Sequence, residues 1–191
     1  DNSVTLKDAT SKDIEQFAAN TNTVTATRST TGNIAQDSTV DNTVTLTDSM
    51  SGAITEIAGR DNTVTMTRST SGAIDQTAGR DNKVKLTDST SGAITQTADN
   101  NNLVDVDPST VDGAITQTAG GLNTVKALGN IEDMELAEDE LVAKGTYNPS
   151  KVDGNITQVS TKELSEKVDN KDVVSNTVDV FRTDIAGTIS Q

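Results

Sequence analysis

The chain has no cysteine and no histidine. The first absence excludes a disulfide framework, a cysteine–zinc site and thiol chemistry. The second removes the commonest metal ligand and the commonest general base. Aromatic residues are nearly missing: no tryptophan, one tyrosine and two phenylalanines in 191 residues. Apolar residues make up 32% without glycine, and glycine raises this only to ~39%, against ~45–50% in ordinary soluble domains. A core of large interdigitated side chains is not expected. Basic residues are few beside acidic ones, 15 against 29, for a net charge of −14. Such a surface repels nucleic-acid phosphates and anionic membrane surfaces. No apolar run approaches the ~18–20 residues of a membrane span. The chain opens on Asp1 rather than Met. That fits an exported chain whose leader has been removed.

Threonine and asparagine are abundant, at 32 and 16 residues. Low hydrophobicity with high charge would favour disorder, but the sequence repeats, and repeats decide the fold first. Written in rows of twenty, five rows align without gaps. One column reads Asn2, Asn22, Asn42, Asn62, Asn82 and continues to Asn102. A second reads Val4, Val24, Val44, Val64, Val84, Val104, and a third Ile14, Ile34, Ile54, Ile74, Ile94. A fourth reads Gln16, Gln36, Gln76, Gln96, broken only by Glu56. The period then slips by one residue, giving Ile115, Gln117 and Asn123. Further copies follow at Ile156/Gln158, Asn176/Val178 and Ile189/Gln191.

Each row reads as two strands joined by turns. Asn62, Val64 and Met66 alternate with Thr63, Thr65 and Thr67, which is strand periodicity with strand-favouring residues. Gly72, Ile74 and Gln76 share one face of the second strand. Gly-, Asp- and Ser-rich clusters separate the two. The expectation is a single all-β domain over 1–191, a two-sheet β-solenoid of eight or nine ~20-residue rungs. An antiparallel hairpin array is the alternative. The column Asp8, Arg28, Asp48, Arg68, Asp88 alternates in sign. In-register rungs ~4.7–4.8 Å apart would make those neighbours attract. Inward Asn and Gln escape the cost of burial by bonding to their copies above and below.

The unit Ile74, Gln76, Gly79, Asn82, Val84 resembles the curlin repeat of curli-type functional amyloids. The resemblance covers about 1–123, 155–158 and 176–191. It implies a two-sheet solenoid with inward Asn and Gln ladders, formed by the asparagines and glutamines above with Gln117, Gln158, Gln191, Asn123 and Asn176. The stretch from Gln76 to Asn82 is one residue longer than the curlin turn, and Arg68 or Asp88 stands where that pattern has a second glutamine. A weaker resemblance is to the β-arch sheath proteins of filamentous methanogenic archaea.

Neither end carries an atypical repeat of the kind that caps soluble solenoids. Asn2, Val4 and Leu6 begin a strand at once, and Ile189 and Gln191 end one. The expectation is a structural subunit that joins head to tail into an extracellular fibre or cell-surface sheath, its partner being another copy. Regular rows fill 1–123 and a terminal rung 176–191. The stretch 126–153 is an irregular insertion or an extra rung, and 159–175 a projecting loop or helix. A second function is open: the outward Thr-x-Thr columns resemble ice-binding faces, although Lys83 and Lys85 interrupt them. No cofactor is expected. Stacked Asp41, Asp61 and Asp81 are the weak candidates for calcium, with Arg60 and Arg80 beside them. Without histidine, a recognisable nucleophile or aromatic sugar platforms, no catalytic residue is expected.

Overall fold

A computed structural model describes residues 1–128, 130–132, 146–148, 150–160, 176–181 and 183–191. The alternating rows become strands, and every long ladder is parallel. The Asn sheet runs through Asn2–Lys7, Thr21–Thr27, Asp41–Thr47, Asp61–Thr67, Asp81–Thr87, Asn101–Asp107, Asn123–Leu128 and Asn176–Phe181. The Gln sheet runs through Ile14–Ala18, Ile34–Ser38, Ile54–Ala58, Ile74–Ala78, Ile94–Ala98, Ile115–Ala119, Ile156–Ser160 and Ile189–Ser190. The chain visits the two sheets alternately and climbs one strand per turn. This is a β-solenoid, and the parallel pairing excludes the hairpin array. Among the described residues there is no helix.

Register follows the sequence columns. Asn42 pairs with Asn62, Val44 with Val64 and Ile54 with Ile74. The single extra residue of the sixth row lies between Val111 and Ile115. Thr90 still pairs with Thr110, whereas Ile94 pairs with Ile115. A strand cannot absorb an odd residue without turning its core face outward, so the turn takes it.

Two features go beyond the sequence reading. First, a third, narrow ladder runs along one corner. It begins as single bridges through Thr10, Thr30, Met50, Thr70 and Thr90, and widens into Thr90–Ser91, Thr110–Val111, Ser150–Val152 and Thr183–Ile185. Second, 126–153 adds no rung. Asn123–Leu128 pairs directly with Asn176–Phe181, so each long sheet holds eight strands. Asn130–Glu132 instead pairs antiparallel with Thr146–Asn148, and the rung resumes at Ser150. The insertion leaves the stack at a corner, where it breaks no ladder. The middle of that insertion and 161–175 lie outside the described residues.

The core is one side-chain layer thick on each side. Val24, Val44, Val64 and Val84 with Leu46, Met66 and Leu86 come from the Asn sheet, and Ile34, Ile54, Ile74 and Ile94 face them from the Gln sheet, all buried. Each fully buried Ile or Leu contributes ~1.5–3 kcal/mol. At the corner between Asn strand and narrow ladder, Asp8, Arg28, Asp48, Arg68 and Asp88 adopt left-handed φ of 47–52°. One such residue per turn bends the extended chain.

A glycine column stands at the next corner: Gly32, Gly52, Gly72, Gly92, Gly113, Gly154 and Gly187. A Cβ on Gly72 would lie 3.0 Å from the Ala53 nitrogen and 3.1 Å from the Gly52 carbonyl carbon, both backbone of the rung before. The first rung, with none described before it, has Lys12 at this place.

Candidate functional site

The buried polar columns form continuous ladders. In the Asn sheet each Nδ2 donates forward to the next rung's Oδ1: Asn2 to Asn22 at 3.0 Å, Asn22 to Asn42 and Asn42 to Asn62 at 3.1 Å, Asn62 to Asn82 and Asn82 to Asn102 at 3.0 Å, Asn102 to Asn123 at 2.9 Å and Asn123 to Asn176 at 3.0 Å. The same nitrogens reach across to the Gln sheet. Asn62 Nδ2 lies 2.8 Å from the Thr77 carbonyl and 3.2 Å from that of Glu56. Exchanging Oδ1 and Nδ2 would set an oxygen against these carbonyls, so the orientation is fixed by the backbone.

The Gln ladder runs the other way. Each Nε2 donates backward to Oε1 of the rung before: Gln36 to Gln16 at 2.7 Å, Gln96 to Gln76, Gln117 to Gln96 and Gln158 to Gln117 at 2.8 Å, and Gln191 to Gln158 at 3.2 Å. Cross-sheet carbonyls again fix the amides, as with Gln76 Nε2 and the Lys83 carbonyl at 3.3 Å. Glu56 occupies this column fully buried. Its Oε2 accepts from Gln76 Nε2 at 2.7 Å. Burial pushes its carboxyl up from 4.5 to about 8, and the Gln76 hydrogen bond opposes that rise.

The sequence columns as read above leave out a third polar ladder. Ser29 N–H donates to Ser49 Oγ at 3.1 Å, and the pattern repeats through Ser69, Ser89, Ser109 and Ser150. From Ser29 to Ser109 each hydroxyl in turn donates to the carbonyl two residues back, as Ser49 does to Thr47 at 2.7 Å, while Ser150 Oγ donates to the Val106 carbonyl of the rung before at 3.0 Å. The signal was serine recurring in the ninth place of every row from the second to the sixth. Its position in a turn cluster gave it no alternation to mark it as inward.

The charged columns form discrete pairs. Arg28 grips Asp8 with Nε at 2.6 Å and Nη2 at 2.8 Å, and Arg68 grips Asp48 at 2.7 and 3.0 Å. These bidentate hydrogen bonds hold the Asp8 and Asp48 carboxyls below the usual range. Each arginine reaches back one rung, so the column is two clasps and Asp88, where an unbroken alternating ladder was expected. Asp41 and Asp61 are likewise held, by Arg60 and Arg80 of the following turns. Asp81 accepts from Asn100 and Asn101 Nδ2, both at 3.0 Å. The three carboxylates are thus already engaged. Among the described residues no group of three or more acidic side chains converges on a cation site. A further sign alternation escaped the columns because the period changes under it: Lys85, Asp105, Lys126 and Asp179 are successive register partners.

The outward face of the Asn sheet carries a block of threonine. Thr23, Thr43 and Thr63 pair in register, as do Thr25, Thr45 and Thr65, and Thr27, Thr47 and Thr67. Lys83 and Lys85 then replace threonine on the next rung.

The ladders give the two ends of the described stack complementary polarity. The first rung presents an acceptor, Asn2 Oδ1, in the Asn sheet, and a donor, Gln16 Nε2, in the Gln sheet. The last presents a donor, Asn176 Nδ2, and an acceptor, Gln191 Oε1. Val4, Leu6 and Val178, packed against the core, and exposed Ile189 mark where the apolar columns reach these ends. Comparison with protein-family models, curated proteins and solved structures finds no match.

Proposed function

We propose that this chain is a structural subunit that stacks head to tail, by translation, into a cross-β filament or surface sheath outside the cell. The observation that carries the reading is the opposed polarity of the Asn and Gln ladders. Placed on the last rung of one copy, the first rung of the next brings donor to acceptor in both sheets at once. Asn176 Nδ2 meets Asn2 Oδ1, and Gln16 Nε2 meets Gln191 Oε1. The strand edges offer the unpaired backbone groups that such a joint needs. Assembly then repeats inside the joint what already holds each rung: backbone ladders, stacked amides and a strip of apolar side chains. The resemblance to curlin repeats supports the same reading. A net charge of −14 keeps finished filaments apart and soluble.

One residue of the end rung resists the joint. Lys12 stands where every later rung has glycine, and its Cβ would press on the backbone of the copy before. We read it as a brake on the free edge, one of the devices by which exposed strands are blunted.

The joint is testable because the chain has no cysteine of its own. Register carried across the joint pairs Thr177 with Ser3 of the next copy. Parallel neighbours in one sheet sit ~4.8 Å apart, within the Cα range of a disulfide. Oxidised S3C/T177C chains should form a ladder of covalent multimers on a non-reducing gel, while S3C alone and T177C alone give at most dimers. Only dimers from the double variant would refute head-to-tail stacking.

The register-matched threonine block favours a second reading, a monomeric ice-binding solenoid. Thermal hysteresis at micromolar protein, lost on Thr45→Lys, would establish it; no hysteresis would remove it.

A further inference from the structure

The Gln ladder contains one acid, Glu56, and it stands at a step where the pattern calls for a donor. At the steps through the glutamines an Nε2 faces an Oε1. At the step from Gln36 to Glu56, a register pair, two oxygens take those places. Gln36 Oε1 and Glu56 Oε1 are both buried, and neither has a hydrogen-bond partner. The other carboxyl oxygen already accepts from Gln76 at 2.7 Å, so the carboxyl cannot turn to relieve the contact without breaking the next step. Two lone-pair oxygens in a dry core need a hydrogen between them. One proton supplies it.

We propose that Glu56 is a proton-binding site: a neutral carboxylic acid whose O–H donates to Gln36 Oε1, so that the Gln ladder runs unbroken from the third rung to the second only while the proton is held. Among the described residues no cation is placed to stabilise the anion instead. The strands packed around Glu56 carry Asp37, Asp75, Asp41, Asp61, Asp81, Lys83 and Lys85, all at outward positions with access to solvent. Inward, Glu56 meets the backbone, stacked amides and the apolar core. The folded chain therefore keeps this proton to higher pH than the unfolded chain does.

The sign of the pH dependence follows. Between 4.5 and about 8 the folded form holds one proton more than the unfolded form. The contribution of this site to stability is greatest below that window and falls as pH rises through it. The slope is about tenfold in the folding equilibrium per pH unit, on the order of a thousandfold in all. The rung that contains Glu56 is a seam that alkali loosens.

Glu56→Gln tests this, because a glutamine supplies Nε2 toward Gln36 and keeps Oε1 toward Gln76. Urea unfolding of the full chain and of E56Q should be compared from pH 4.5 to 9. The two should converge at the acid end. At pH 8 E56Q should be more stable by two to three powers of ten in the equilibrium constant, with the pH slope due to this site gone. In parallel, the Glu56 carboxyl carbon, followed by NMR, should titrate far above the exposed carboxylates. A stability difference that does not change with pH, or a Glu56 carboxyl that titrates with the surface acids, would overturn the proposal.

Discussion

Asn2→Ala separates the stability of one subunit from the stability of the joint between subunits. In a single chain Asn2 sits on an exposed edge and donates to the Phe17 carbonyl at 2.7 Å and to Asn22 Oδ1 at 3.0 Å. Both acceptors turn to water when its side chain is cut back, so the loss is that of ordinary exposed hydrogen bonds, ~1 kcal/mol. In the joint the same side chain is in the position of Asn62. That residue donates to Asn82 at 3.0 Å and Thr77 at 2.8 Å and accepts from Asn42 at 3.1 Å, with no access to water. Alanine there strands a donor from the copy before, Asn176 Nδ2, and an acceptor from its own next rung. Two stranded groups cost ~2–4 kcal/mol, which raises the critical concentration for assembly by ~30- to 1,000-fold. Urea unfolding of dilute protein gives the first quantity, and the concentration left in the supernatant after sedimentation gives the second. Asn62→Ala is the calibration: it should weaken the single chain by about what Asn2→Ala takes from the joint. If Asn2→Ala shifts the critical concentration only a fewfold, the amide ladder does not cross the joint and the polarity argument fails.

Three other outcomes follow from the same geometry. Arg28→Asp with Arg68→Asp turns two clasps into five stacked acids. It should lower Tm at low ionic strength, with most of the loss recovered in molar salt; a salt-independent loss would mean the clasps act through the left-handed backbone instead. Gly72→Ala pushes a methyl group into the backbone of the rung before and should cost ~1–3 kcal/mol in urea unfolding. A neutral result would show the corner column can spread. Lys12→Gly removes the brake on the free edge, so it should lower the critical concentration while leaving single-chain stability nearly unchanged; a rise would assign Lys12 a favourable contact in the joint.

Much of this fold is legible in the rows of twenty. Alternation marks the long strands because a half-buried strand must alternate, and identical columns mark the register because only stacking makes Asn62 a neighbour of Asn42 and Asn82. The buried faces of both sheets follow from those two facts. The corners are another matter. The narrow ladder passes through single residues such as Thr30 and Met50, too short to show a period. A left-handed φ at Asp48 agrees with local preference, but the same φ at Arg28 and Arg68 does not; there the stack imposes it. The serine ladder is hidden for the same reason, since turn composition looks solvent-exposed until neighbouring rungs cover it.

The site divides in the same way. Columns name the amides, yet they carry no direction, and the opposed polarities appear only when cross-sheet carbonyls fix each amide. Glu56 reads in sequence as a blemish in the Gln column. In the structure it is a second acceptor at a step that requires a donor, which is a chemical statement that no column can make. Arg60 and Arg80 stand beside Asp61 and Asp81 in sequence and pair with them at 3.5 and 3.3 Å, but each also clasps the carboxylate one rung back, Asp41 and Asp61, which adjacency in sequence does not show.

The central claim is that the stack continues from copy to copy without changing its step. Cryo-electron microscopy of the protein at rising concentration tests it most directly. The account predicts unbranched filaments with a layer line near ~4.8 Å and an axial subunit repeat of eight rungs, ~38 Å at that spacing. Discrete single particles at every concentration, or filaments whose subunits meet sheet face to sheet face, would contradict it.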